Sequence, residues 1–196
     1  FRLSIPYRMA NSTRAAPLDR PAWIRGAFAI LADDGVDGLR VEVLAKRLKV
    51  TKGSFYWHFK DRRDLLDALL AEWKDGRIAD IRKQTAARPG EELDALHHTI
   101  DVYAAARNRK GIAIEAAMRD WARRDAPAAA VVEAVDAERL ACACRLFLAC
   151  GLTEAEAKAR SVMLYAYVFG VSLMRTGGFA DDMDSLKTWI AGHIAR

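Results

Sequence analysis

Cysteine is scarce and poorly placed for cross-linking. The chain of 196 residues has three, Cys142, Cys144 and Cys150. An odd set crowded onto one helical stretch excludes a disulfide-stapled secreted scaffold and fits a reducing cytoplasm. Proline and glycine are also few, at five and twelve residues, and the abundant alanine favours helix. Period-two alternation is hard to find, which argues against a β-rich fold. The longest apolar run, Ser161 to Met174, has 14 residues between Arg160 and Arg175. A helical membrane span needs about 20, so no membrane partner is expected, and with no signal peptide ahead of the first helix the expected location is cytoplasmic. No Ser/His/Asp set, phosphate loop or metal-ligand spacing is present, so the chain is not expected to be an enzyme. Cys142 and Cys144 point to opposite sides of a helix, Cys150 lies two turns from Cys142, and the adjacent His97 and His98 cannot easily chelate one ion. No metal or cofactor is expected.

What the sequence does have is hydrophobic mass and a local excess of positive charge. At 52% hydrophobic it can bury a sizeable core. The net charge is +5, and its distribution says more than its size. From Arg40 to Arg63 eight basic residues stand against two acidic ones, Glu42 and Asp61, whereas residues 76–196 carry 17 basic and 16 acidic. A local excess of this kind points to a polyanion at one surface.

Residues 1–18 form a basic, irregular arm with Pro6 and Pro17, expected to be disordered. Met9 heads a stretch that looks like a natural start, so residues 1–8 are expected to be upstream or vector-derived. Asp19 is placed to cap a helix with Pro21 in its first turn. Trp23, Ile24, Ala27, Phe28, Ile30 and Leu31 give that helix an apolar stripe, which stops near Asp33-Asp34-Gly35. Leu39, Val43, Leu44 and Leu48 predict a short amphipathic helix, with Ala45 small enough for a close crossing. Thr51 is a good N-cap for the next helix. Phe55 and Phe59, four apart, share its inner face and leave Lys52, Ser54, Tyr56 and Trp57 outside, with His58 near the rim. A further helix starts near Asp61, carries Leu65, Leu66, Leu69, Leu70 and Trp73, and runs to about Arg88. After Pro89-Gly90, five helices are expected at roughly 91–107, 111–124, 127–150, 153–175 and 182–195. Thr153 with Glu156 is a capping-box pattern.

Leu39 to Leu70 resembles the DNA-binding head of TetR-family transcriptional regulators. The run Gly53-Ser54-Phe55-Tyr56-Trp57-His58-Phe59-Lys60, followed by Asp61-Arg62-Arg63-Asp64-Leu65-Leu66, is similar to that family's signature. Arg119-Asp120-Trp121-Ala122-Arg123-Arg124 is similar to phrases in the bodies of such proteins. Two departures stand out. Lys49 occupies the turn where the family usually has Gly, a position that tends to the left-handed region. Arg40 and Val41 stand where a Thr or Ser often binds phosphate.

The resemblance implies an all-α chain of about nine helices. A three-helix helix-turn-helix head at 19–65 would precede an effector-binding and dimerisation body at 66–196. It implies a homodimer on double-stranded DNA, its heads in successive major grooves. Thr51 and the first amides of its helix suit a phosphate, Lys52 a guanine edge or phosphate, and Gly53 close approach. Ser54 suits either a phosphate or a base. By resemblance Tyr56 and His58 bind phosphate and Trp57 offers a face to thymine methyls. Arg40 is a candidate substitute for the missing hydroxyl, and Lys60 and Arg62 are candidate clamps on the flanking backbone. The family's last two long helices usually form a four-helix bundle across the two-fold axis. Ala166, Gly170, Leu173, Leu186, Trp189, Ile190 and His193 are the candidates for that interface. His98, Tyr103, Met118, Trp121, Phe147 and Tyr165 are candidate walls for a pocket, whose largely apolar character suggests a hydrophobic or aromatic effector of unknown identity. The expected function is a transcriptional regulator, a repressor released from a palindromic operator by its ligand. An effector-independent architectural DNA-binding protein and a metal- or redox-responsive regulator are the alternatives.

Overall fold

The computed structural model describes residues 18–104, 109–174, 179 and 182–195. The N-terminal arm, Leu18 apart, lies outside the described residues, as does the side chain of Tyr103. The described residues form nine helices: α1 (Arg20–Gly38), α2 (Val41–Arg47), α3 (Lys52–Phe55), α4 (Arg62–Gln84), α5 (Glu92–Ala104), α6 (Arg109–Ala122), α7 (Ala126–Ala149), α8 (Glu154–Leu173) and α9 (Met183–Ala195). The chain is all-α, with an N-terminal head of three helices followed by a helical body. No helix of the described residues is long and apolar enough to cross a membrane.

Local sequence accounts for most boundaries. The Asp19 carboxylate accepts from Ala22 N at 2.8 Å, and proline sits in the first turn of α1. Asp61 caps α4 through Asp64 N at 2.9 Å, and Asp125 caps α7 through Ala128 N at 3.0 Å. Thr153 and Glu156 form the reciprocal capping box at the start of α8. Gly35 is where the helical backbone of α1 breaks, at φ 69, but another turn follows before Leu39. Two spans differ from expectation. The helix begun by Thr51 has only four residues, because Tyr56 to His58 continue as a turn. The helix after Asp61 ends at Gln84 rather than Arg88.

Lys49 adopts φ 58, the left-handed conformation expected of the turn. Its amide donates to Lys46 O and the next amide, of Val50, to Ala45 O, so the turn closes α2. Where α1 crosses α2, Gly26 allows the close approach: a Cβ there would lie 2.9 Å from a Leu48 methyl and 3.1 Å from one of Leu44.

Apolar burial falls into two clusters. The first begins in the head with Trp23, Leu44, Phe55, Phe59 and Leu65. It continues without a gap through Trp73, Met118, Trp121, Val132 and Cys142 in α4, α6 and α7. The second joins α5, α7, α8 and α9 around Leu96, Phe147, Leu164 and Ile194. The head therefore shares its core with α4, α6 and α7.

Lys49→Gly removes the left-handed penalty of a side chain in the turn and is expected to raise the unfolding free energy by about 1 kcal/mol. Urea unfolding monitored by far-UV circular dichroism measures this, and an unchanged or lowered midpoint contradicts it.

Candidate functional site

The basic stretch of the sequence becomes an outward surface held from below by aromatic rings. Phe55 and Phe59 are fully buried and stacked at 5.2 Å between centroids. Trp23 of α1 meets Phe55 edge-on at 5.5 Å, and the Arg20 guanidinium lies 4.8 Å above the Phe59 ring. These contacts are needed because a helix of one turn cannot hold itself. They leave Trp57 87% exposed and Tyr56 54% exposed. The two neighbouring exposed rings form an apolar patch beside basic side chains.

The same stretch carries polar groups. The Thr51 side chain makes no capping bond, and Ser54 Oγ donates to Thr51 O at 2.7 Å. Gly53 is open: a Cβ added there would have only the Thr51 hydroxyl nearby, at 3.9 Å. His58 is half-buried with its ring 6.3 Å from that of Trp23. Lys60 is exposed, and its backbone N–H, not its side chain, holds Asp64 at 2.9 Å. Arg40 stands exposed at the start of α2 without a side-chain capping bond. Lys52 forms an ion pair with Glu42 of α2. That hydrogen bond and charge lower the Glu42 pKa and raise that of Lys52. The four-residue length of α3 weakens the helix-terminus argument for phosphate at Thr51, since few peptide dipoles align there.

Arg62 departs from expectation. Rather than facing the flanking DNA backbone, it donates to the carbonyls of Val36, at 2.8 Å, and Leu39. The Val36 carbonyl also accepts from Leu39 N at 3.1 Å, and Arg62 at the start of α4 adds its bonds at this break that ends α1. It is an internal clamp of the head.

The body has its own concavity, a cavity of about 300 Å³ between α4, α6 and α8. Arg77 and Gln84 come from α4, Ile112, Glu115 and Arg119 from α6, and Phe169 and Leu173 from α8. Behind it lies a closed ion-pair network. Arg139, 1% exposed, reaches Glu115 and Asp136, each at 2.7 Å, while Arg119 binds Asp136 through two nitrogens at 2.7 and 2.9 Å and Glu115 at 3.0 Å. Burial pushes the Asp136 pKa up, but the bonds and charges of Arg119 and Arg139 outweigh it and hold the group below its usual range. Both guanidiniums also lie over the Phe169 ring, at 4.4 and 5.1 Å.

None of the described pocket candidates lines this cavity. Met118, Trp121, Phe147 and Tyr165 are buried in the two cores, and His98 is exposed on α5. Helical periodicity marks arginine and glutamine as solvent-facing, so it cannot reveal a wall built from them. The phrase Arg119 to Arg124 is the available signal, since Arg119, Asp120 and Arg123 all line the cavity.

Two links join this region to the head. Arg124 bonds Asp120 at 2.7 Å and Asp37 of α1 at 3.2 Å, and Arg63 bonds Asp125 at 3.0 Å. Elsewhere on the body, α8 and α9 expose apolar residues, Leu173 at the edge of the cavity among them. Ala166, Leu173, Leu186, Trp189 (62% exposed) and His193 face solvent, while Gly170 and Ile190 are half-buried. Val162 and Met163 join this face. Helical spacing carries that signal, because Val162 precedes Ala166 by four positions and Met163 precedes Gly170 by seven.

Comparison with known proteins bears on both parts. Residues 24–69 match the family model for bacterial regulatory proteins of the tetR family. The class C tetracycline repressor protein of Escherichia coli is 52% identical over 52 residues, 26% of this chain and 24% of that protein. The HTH-type transcriptional regulator AcrR of Shigella flexneri is 31% identical over 75 residues, 38% of this chain and 34% of that protein. These alignments thus span about a quarter to a third of the relatives' length. A solved transcriptional regulator from Rhodococcus sp. Rha1 shares the fold across 90% of this chain and 94% of its own, with a TM-score of 0.71 at 20% identity.

Removing the Arg62 side chain tests the clamp. Arg62→Ala is expected to cost about 1.5 kcal/mol of stability, the low end for charge-assisted bonds because the residue is partly exposed. The salt dependence of DNA binding is expected to stay unchanged, whereas loss of a phosphate contact lowers its slope by about 1. Denaturant unfolding and binding titrations at several salt concentrations separate the two roles.

Proposed function

We propose that the chain, whose residues 24–69 match the tetR family model, is a dimeric, ligand-responsive transcriptional repressor of that family. The observation carrying this reading is the solvent-facing Tyr56-Trp57 pair on its buried Phe55–Phe59 base, in a basic stretch that also exposes Arg40, Lys52 and Lys60. Such a surface combines phosphate donors, which set register, with groups that reach base edges. Thr51, Gly53, Ser54 and His58 complete the proposed contact set.

Two heads are needed for selectivity, and the apolar face of α8 and α9 supports an isologous dimer. Paired copies would bury Leu173, Leu186 and Trp189, which a monomer leaves in water. The heads would then meet half-sites about 34–36 Å apart, or a multiple of that.

The cavity supports regulation by a small molecule over an effector-independent architectural role. Helices α4 and α6 form its wall and also enter the head's core through Leu65, Leu69, Met118 and Trp121. A ligand that fits one spacing of α4 and α6 better than another biases the head by that difference in affinity, and DNA biases ligand binding by the same factor.

Contact residues sort into two classes. Tyr56→Ala and Lys60→Ala are expected to weaken binding to every DNA sequence, by about fivefold to fiftyfold for each. Lys52→Ala is expected to narrow the gap between operator and random DNA as well. Gel-shift titrations on both DNAs check this, and unchanged operator affinity in all three variants rules out the assigned surface.

A further inference from the structure

The charges in the cavity wall are distributed in a way that selects among ligands. Ile112, Ala116, Phe169 and Leu173 supply apolar surface. Both wall carboxylates are already engaged. Glu115 is held by Arg139 at 2.7 Å and Arg119 at 3.0 Å, and Asp120 by Arg124 at 2.7 Å. A cationic ligand would therefore meet Arg77, Arg119 and Arg123 with no carboxylate left to answer it.

Arg123 stands differently from its neighbours. It lines the cavity, is exposed to solvent and has no carboxylate within ion-pair distance among the described residues. Its guanidinium can take a bidentate carboxylate without first breaking a pair. Gln84, also in the wall, has its side-chain carbonyl oxygen buried with no donor among the described residues. A turn of this amide toward the cavity would give the unpaired oxygen a partner in any occupant that brings a hydroxyl or N–H. The volume of about 300 Å³ lies at the small end of ligand sites and suits a molecule of one or two rings.

We propose that the cavity binds a small ring-bearing organic carboxylate that also carries a hydrogen-bond donor. The carboxylate pairs with Arg123, the donor meets the Gln84 carbonyl, and the rings lie among Ile112, Ala116, Phe169 and Leu173. This assignment rests on the ligand-responsive reading and sharpens it, from a hydrophobic or aromatic effector to an anionic amphipathic one.

The test uses the full chain and four probes: 6-hydroxy-2-naphthoate, 2-naphthoate, 6-hydroxy-2-naphthamide and (6-hydroxynaphthalen-2-yl)methylamine. Calorimetric titration is expected to rank the hydroxy acid first. The amide should be at least about tenfold weaker, the hydroxyl-free acid about threefold to tenfold weaker, and the amine without measurable binding. Arg123→Ala, a change at an exposed side chain, should bring the hydroxy acid down to the level of the amide, with Arg123→Lys retaining part of the preference. Gln84→Leu should abolish the advantage of the hydroxyl and leave that of the carboxylate. The assignment is overturned if no probe binds, if the amide or amine matches the acid, or if Arg123→Ala leaves the ranking unchanged. DNA binding by the same protein is followed in parallel with each probe. A failed ranking with DNA binding intact removes the ligand class alone. The expected ranking with no effect on DNA binding removes ligand-responsive control and leaves the ligand class standing.

Discussion

The head depends on the packing of Phe55 against Trp23 and Phe59. The short helix α3 is a single turn without a side-chain cap, so no side chain of its own keeps it formed. Three buried rings do so instead, with centroids 5.2 and 5.5 Å apart. Aromatic pairs in this geometry add to the burial of their large apolar area. The orientation of everything outward, Tyr56 and Trp57 above all, follows from that anchor. So does the turn before it, where Lys49 accepts a strained backbone conformation to bring α3 across α2. The Arg62 clamp ties the end of α1 to the start of α4 and closes the head on its other side.

The same core then carries the head into the body. Trp121 and Met118 pack with the head while Glu115 and Arg119, on the same helix α6, face the cavity. One helix thus has one end under the head and its middle in the cavity wall. The network of Arg119, Asp136, Arg139 and Glu115 holds that wall by mutual charge compensation around the buried Arg139, whose charge would be stranded if both its carboxylates were removed. The exposed pairs Arg124–Asp37 and Arg63–Asp125 add direct but weak links between body and head.

The head is legible in the sequence to a degree the cavity is not. Phe55 and Phe59 at a spacing of four, the charge excess from Arg40 to Arg63 and the run from Gly53 to Lys60 mark a buried side, a basic outer side and a resemblance to a family. Helix boundaries set by Asp19, Asp61 and Thr153 follow from capping chemistry that acts within one turn. The length of α3 does not follow, because Tyr56 and Trp57 fit a helix as well as a turn. Arg62 looks outward-facing in the sequence because its acceptors, Val36 and Leu39, are carbonyls more than twenty residues away. The cavity is hidden for a related reason. Its wall is polar, and a polar residue on a helix face reads as solvent-exposed until a third helix is seen to cover it.

The central claim is that two such heads, fixed by their aromatic bases, read paired half-sites on DNA. Selection of bound fragments from a random double-stranded pool by the full chain, followed by sequencing, tests this most directly. The account predicts enrichment of an imperfect palindrome with half-site centres about 34–36 Å apart, or a multiple of that spacing. A selected pool with no enriched sequence, or with a single unpaired half-site, would contradict it.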